Sequence, residues 1–383
     1  MARSLGNAGK VALLVVATIL VCIAAVELVV RVRYGDKFGP RPGFYTADNI
    51  LGWKPAPDLD HVFYGPDFQI AIRTDADGYR LGTAGEVDYS KELVVLCGDS
   101  YAFGWGVATD QSFASYLDTM LTARSSGALR VVNLGVGGYG TFQNCDRLAG
   151  FFRKHPAAKP RLILVQHSVN DVTDNYRNIG YHLGTWPTET IQKERSRFHV
   201  VNLIRYAIEA RKKSQTQVAA VGKEPFAQDL LWAFRRTQAV AGIPEELSFE
   251  GRVVVFDAAT VKKDVSPDSL ARRKAFTKVQ HDLMLEALHC IHDVAATRGV
   301  VVVHTFIATT PEWYVEQVSD LARQSAAFAG CRAIVTEAIP NPGDFTGPID
   351  NPHSGRHFNG DFNRFWATAV VKRLDAMNLL ARQ

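Results

Sequence analysis

Residues able to carry out acyl transfer lie just beyond apolar runs in this chain. The first run, Leu93-Val94-Val95-Leu96-Cys97, ends in Gly98-Asp99-Ser100. An aliphatic run of that length reads as a strand buried on both faces, and glycine lets the chain turn at its end. Ligands in open α/β sheets sit beyond the carboxyl ends of strands. Ser100 therefore stands where a nucleophile could act, and its own N–H could help hold a developing oxyanion. Gly, Asp and Ser are also ordinary turn residues, so this segment alone decides nothing.

Three further segments supply what such a serine needs. Asn133-Leu134-Gly135-Val136-Gly137-Gly138-Tyr139-Gly140 follows a second run. Its glycines would let backbone N–H groups approach a ligand closely. Leu164-Val165-Gln166-His167-Ser168-Val169-Asn170-Asp171 places an amide, Asn170, beyond a third run. That amide can donate to an oxyanion. Near the C-terminus comes Asp350-Asn351-Pro352-His353-Ser354-Gly355-Arg356-His357-Phe358-Asn359. Imidazole is the usual general base for a serine, because it titrates near neutrality. Taken singly, these are two turns and a pair of loop histidines.

The four segments in this order resemble the SGNH hydrolases, also called GDSL-type esterases and lipases. The resemblance covers about residues 93–175 and 345–375. It implies that Ser100 is the nucleophile and that the Ser100 N–H, Gly138 and Asn170 form the oxyanion hole. No metal or organic cofactor is then required. His357 fits the family's histidine, with Phe358, Asn359, Asn363, Arg364 and Ala367 behind it. The family's Asp two or three residues before that histidine is missing, since Ser354 and Gly355 stand there. Asp350 and His353 have the family's Asp-x-x-His spacing, but the residues after His353 fit poorly. Asp350, Ser354 or a backbone carbonyl could orient the His357 ring. The implied activity is ester hydrolysis. Acyl transfer to a cell-surface glycan, or a silent scaffold that binds glycans or proteins, are the alternatives. Leu51-Gly52-Trp53 and Asp77-Gly78-Tyr79-Arg80, behind Glu27-Leu28-Val29-Val30-Arg31, also look like membrane-anchored bacterial members.

Alternating strands and helices must position these residues. Strands are expected at 93–97, 130–134, 162–166, 300–303 and 333–335. A helix should begin near Asp110, capped by Asp110 or Ser112, with Phe113, Tyr116, Leu117, Met120 and Leu121 at helical spacing. A long helix carries Phe276, Val279, Leu283, Ala287, Ile291 and Val294 and ends at Gly299. A closing helix spans 365–380. The pattern implies a three-layer α/β/α fold with a parallel central sheet, of SGNH-hydrolase or flavodoxin-like type. We expect an anchor over 1–33, a Gly/Pro-rich segment over 34–90 packed on the core, and a hydrolase domain over 91–383. Within 34–90, residues 68–72 alternate like an edge strand and Asp77-Gly78 signals a turn. The hydrolase domain carries a helical insertion at about 175–265, too long for a plain connection. Its helical pieces, 201–213 and 226–239, form either a lid or membrane-facing subdomain, or plain surface.

Bulk properties narrow the field. With 47% hydrophobic and 21% charged residues among 383, the chain can bury a sizeable core. A net charge of +4 without a long basic block makes nucleic acid no obvious partner. Five cysteines include no Cys-x-x-Cys pair and indicate no disulfide framework; Cys22 and Cys97 read as buried. Val11 to Val30 is apolar except for Thr18 and Glu27, long enough to cross a bilayer, and lacks a small-residue cleavage site. It reads as an uncleaved anchor. Its flanking charge leaves orientation open, and the resemblance suggests an extracytoplasmic, periplasmic active domain. Partners are then the membrane and a small-molecule or glycan ester. His281, His289 and His292 read as exposed residues of the long helix rather than metal ligands. Phe103, Trp105 and Trp186 are candidates for a substrate pocket, or core packing.

Overall fold

Aliphatic runs that alternate between two buried faces build one parallel sheet at the centre of the chain. The computed structural model describes residues 7–38, 43–48, 50–64, 69–175, 196–215, 275–276, 278–307, 309–338, 344–351 and 357–380. They fall into two compact units, one drawn from 1–44 and 191–221, the other from 45–190 and 222–383.

In the larger unit two hairpins come first. β1 (Tyr45–Asp48) pairs with β2 (Gly52–Pro55), and β3 (Asp60–Tyr64) with β4 (Gln69–Arg73). The sheet consists of β5 (Glu92–Cys97), β6 (Leu129–Asn133), β7 (Lys159–His167), β8 (Val301–Phe306) and β9 (Ala333–Ala338). Its order is β6-β5-β7-β8-β9, with every pair parallel. Leu93, Val95 and Cys97 of β5 face α4 (Thr141–Lys154) and α6 (Lys278–Ala296). Val94 and Leu96 face α3 (Phe113–Arg124) and α8 (Gly360–Ala376). Trp366 of α8 stacks on Phe113 of α3 at 3.8 Å. A further helix, α7 (Glu312–Ala329), packs beside α6 through Met284, Leu288, Tyr314 and Val318. Each such buried side chain contributes roughly 1.5–3 kcal/mol. The result is the three-layer α/β/α architecture expected from the runs.

Side chains that cap the backbone set the helix boundaries, and at α3 Ser112 is the cap of the two expected. α3 begins at Phe113 because Ser112 Oγ accepts from Ser115 N at 3.2 Å. α8 begins at Gly360, five residues earlier than apolar spacing suggests, because Asn359 Oδ1 accepts from Phe362 N at 2.8 Å. The expected helix at 226–239 lies outside the described residues.

Two cysteine expectations are corrected. Cys145 of α4 and Cys290 of α6 form a disulfide with Cα atoms 6.0 Å apart. Helix packing brings together residues whose separation in sequence carries no signal. Cys22 is exposed, because it lies on α1 (Asn7–Tyr34), whose apolar side chains point outward almost throughout.

α1 belongs to the smaller unit. Among the described residues it is the one helix long and apolar enough to cross a membrane. Its Glu27 accepts from the His199 and Val200 N–H groups, both at 2.9 Å. These are the first amides of α5 (His199–Gln215), which no intrahelical carbonyl can satisfy. The carboxylate that interrupts the apolar run thus caps another helix. Asn202 Nδ2 donates to Phe38 O at 2.8 Å in the same unit.

The segment before the sheet braces the loop after β5. Arg80 is buried and donates to the carbonyls of Phe103 (2.8 Å), Gly104 (2.5 Å) and Val107 (3.0 Å). Its guanidinium also lies over the Phe103 ring at 5.0 Å. Burial lowers its pKa to about 10, which leaves it a cation at neutral pH.

Replacing Cys145 and Cys290 together by Ala should lower stability by about 2–4 kcal/mol, read by chemical denaturation. Arg80→Met should cost about 2–4 kcal/mol, because it strands three buried carbonyls. A change below about 0.5 kcal/mol would mean that the loop holds itself.

Candidate active site

The turn after β5 closes only because residue 98 has no side chain. A Cβ there would lie 2.5 Å from Gln166 Oε1 and 2.7 Å from Ala102 Cβ. That crowding has a purpose. Gln166 Oε1 accepts from Asp99 N (3.3 Å) and Ala102 N (3.2 Å), and Asn144 Oδ1 accepts from Gly98 N (3.2 Å). Asp99 Oδ1 accepts from Tyr101 N at 2.9 Å and so caps the single turn α2 (Ser100–Phe103). Ser100 opens that turn, half-buried at the rim of the sheet.

The C-terminal segment returns to this rim. Asn351 N donates to His357 O at 2.7 Å, and Asp350 pairs across with Phe358. Asn351 Nδ2 donates to Gly106 O at 2.8 Å, which ties the return to the loop that Arg80 braces. His357 Nε2 then lies 2.7 Å from Ser100 Oγ. The Tyr101 ring lies 4.9 Å from the imidazole. For Nε2 to accept the hydroxyl proton, the ring proton must sit on Nδ1. The register sets Asn351 opposite His357, and Asp350 opposite Phe358. Asp350 is exposed, and among the described residues no hydrogen bond or ion pair joins it to His357. His353 and Ser354 lie outside the described residues.

The other expected residues converge on the same rim. Gly138 has φ +80°, a left-handed conformation that glycine adopts freely. The loop around it is held by Trp53, whose Nε1 donates to Gly137 O at 3.2 Å, and by Tyr139, whose hydroxyl donates to Trp53 O. Asn170 Nδ2 donates to Asp99 Oδ2 (3.1 Å) and Asp174 Oδ2 (2.7 Å). Both amide hydrogens therefore face carboxylates, and donation to an oxyanion requires one of them to be released. Phe103 is wholly buried, with its ring centre 6.3 Å from that of Trp105. Trp105 is half-buried against Phe63, with ring centres 4.8 Å apart. Trp186 lies outside the described residues.

Behind the rim lies a polar cluster that sequence reasoning missed. Ser168 Oγ lies 2.6 Å from Asp99 Oδ2, 2.5 Å from Asn170 Oδ1 and 3.3 Å from Asp171 Oδ1. Asp171 Oδ2 is 3.2 Å from His167 Nδ1. His167 Nε2 is 2.9 Å from His304 Nδ1, and His304 Nε2 is 2.9 Å from His292 Nε2. Burial beside Asp99 pushes the Asp171 carboxyl well above its ordinary range. Burial lowers His167 to about 3 and His292 to about 4, and takes His304 well below its usual value, so all three imidazoles are neutral. The expectation that His289 and His292 are exposed is corrected: both are buried, because α6 packs them against β8 and α7. Gln166, Asn144 and Arg80 were also missed. The only signal for Gln166 was a polar residue at the end of an apolar run.

Three solved structures are similar to this chain at low identity. TesA is 13% identical, with 75% of this chain and 99% of that one covered and a TM-score of 0.39. The acetyl xylan esterase Est2A from Butyrivibrio proteoclasticus is 10% identical, with 80% and 68% covered and a TM-score of 0.33. The carboxylesterase Cest-2923 from Lactobacillus plantarum WCFS1 is 12% identical, with 85% and 99% covered and a TM-score of 0.26. No curated protein matches the chain. A family model matches residues 96–321, which carry Ser100, Gly138 and Asn170, while His357 returns to them from beyond that stretch. Spanning more than half of the sequence, that match makes the chain an ester-bond hydrolase of the GDSL-like lipase/acylhydrolase family.

Proposed function

We propose that Ser100 and His357 are the nucleophile and base of a membrane-anchored serine esterase. The observation that carries this is the 2.7 Å separation of His357 Nε2 and Ser100 Oγ, built from segments 257 residues apart. That is hydrogen-bond distance for general-base catalysis. His357 takes the hydroxyl proton as Oγ attacks the ester carbonyl. The tetrahedral oxyanion is held by the Ser100 and Gly138 N–H groups and by Asn170 Nδ2. The C–O bond to the alcohol then breaks, and His357 returns the proton to the leaving oxygen. Water, deprotonated by the same imidazole, attacks the acyl-enzyme, and the acid departs as Oγ recovers its proton.

Among the described residues no hydrogen bond or ion pair joins Asp350, the acid expected from the sequence, to His357, and the proposal is carried by the serine–histidine pair. Ring orientation is supported by the strand pairing through Asn351 and by Tyr101. An extracytoplasmic position is supported by the buried Cys145–Cys290 disulfide, since such bonds persist in oxidising compartments. The exposed apolar surface of α1 supports its assignment as the anchor over 1–33. Residues 34–90 then serve as the brace and 91–383 as the hydrolase domain.

The full chain in detergent should hydrolyse short-chain p-nitrophenyl esters, and a fluorophosphonate should label Ser100. Ser100→Ala should lower turnover by at least about 10³-fold. Wild-type rates in that variant, or no labelling of the wild type, would refute the assignment, the second outcome favouring a silent scaffold. Asn170→Ala should lower kcat by about 10²–10³-fold with little change in KM. Product in which the acyl group has passed to an added glycan, rather than free acid, would mark transfer.

A further inference from the structure

The exposed apolar surface of the smaller unit does not stop at α1. Leu28, Val29 and Val32 stand exposed around Glu27. Glu27 holds the His199 and Val200 amides, and so fastens the start of α5 to that stretch of α1. Phe198, just before the first of those amides, is 60% exposed, and Ile204 and Ile208 of α5 are 53% and 51% exposed. The two isoleucines stand four residues apart, so they share one face of the helix. The inner face is a different one. His199 and Asn202 are buried there, and Asn202 Nδ2 donates to Phe38 O just beyond α1.

The place of the Glu27 link decides what meets the outer face. About 20 helical residues cross the hydrocarbon of a bilayer, and α1 has 28. Its C-terminal stretch carries Glu27, Arg31, Arg33 and Tyr34. Basic residues and tyrosine mark a membrane–water boundary. Arg31 Nη2 donates to Glu27 Oε1 at 3.3 Å, so the carboxylate is paired there. α5 therefore starts at that boundary, and its 17 residues extend for about 26 Å. Running inward, it would carry the exposed Arg205 into hydrocarbon, where a cation is costly. Running straight outward, it would leave Phe198, Ile204 and Ile208 in water. Lying along the boundary, it sinks those three side chains among acyl chains. Arg197 and Arg205, both exposed, can then reach the headgroups. The last turns of α5 add Arg211, Lys212 and Lys213. Charges of one sign on such a helix suit an anionic surface.

We propose that α5 is an interfacial helix lying on the leaflet where α1 ends, and that its occupant is anionic phospholipid. Phe198, Ile204 and Ile208 insert, and Arg197 and Arg205 pair with headgroup phosphates. This rests on α1 being the membrane anchor, as proposed above. The chain is then held twice, by a span and by a surface helix, with Glu27 joining the two.

Spin labels on the full chain test this in nanodiscs of phosphatidylcholine with about 30% phosphatidylglycerol. Cys22→Ala and Cys331→Ser remove the free thiols that are not buried. A label is then placed through Leu20→Cys in α1, Ile204→Cys or Ile208→Cys in α5, or Arg323→Cys on the exposed side of α7. Labels at 204 and 208 should meet a water-soluble nickel chelate at least about threefold less often than the label at 323, and oxygen more often. Leaving out phosphatidylglycerol should raise the nickel collisions at 204 and 208 about twofold, as should Arg197→Gln with Arg205→Gln. Two positions on one face keep the test intact if one labelled chain does not fold. Nickel collisions at 204 and 208 equal to those at 323 would overturn the proposal. Shielding from both reagents would also overturn it, because it marks a face covered by protein, whether the insertion or a second copy. No response to the lipid or to the arginine changes would rule out anionic lipid as the occupant. A label at Leu20 that meets nickel freely would remove the anchor, and this role of α5 with it. A dry label at 20 beside wet labels at 204 and 208 sinks the α5 proposal alone.

Discussion

A single buried carboxylate, Asp99, ties the working rim of the sheet together. One oxygen caps the turn that begins with Ser100. The other receives Ser168 and Asn170 from the end of the neighbouring strand. A charge taken out of water must find donors or lose its ionisation. Here the donors come from both strand ends, so satisfying Asp99 fixes where Ser100 and Asn170 stand relative to each other. Moving either segment would strand a carboxylate in the interior.

The remaining scaffold guards that arrangement from two sides. In front, Arg80 spans the carbonyls after α2, while Trp53 and Tyr139 lock the glycine loop. Behind, Gln166 and Asn144 spend their side-chain oxygens on the N–H groups of the bend. Rigid placement of this kind matters because an angstrom of error at a reacting hydroxyl can cost two orders of magnitude in rate. The hairpins before the sheet are thus structural partners of the site rather than a passive leader.

Strands and layers were legible because both faces of the sheet are buried and the aliphatic runs say so directly. Ser100, Gly138 and Asn170 stood out as candidates because each lies just past such a run and fits the family resemblance. What stayed hidden depends on contacts between distant segments. Nothing in the sequence around Arg80 tells that the fold surrounds it with carbonyls. His289 and His292 show the same spacing whether a helix face meets water or another helix. Pairing of Cys145 with Cys290 depends on how α4 and α6 cross the sheet, which no spacing rule encodes. The lack of an acid two or three residues before His357 was visible, whereas the strand pairing through Asn351 was not.

The disulfide also changes what a protease can do to this protein. Ser100 and Cys145 lie on one side of the long insertion, and Cys290 and His357 on the other. A backbone cut anywhere between Asn175 and Lys278 would yield two fragments still joined covalently through sulfur. One fragment would carry Ser100 and the other His357, and each would hold strands of the one shared sheet. Clipping of the insertion and loss of the enzyme are therefore separable events, and only reduction would part the halves.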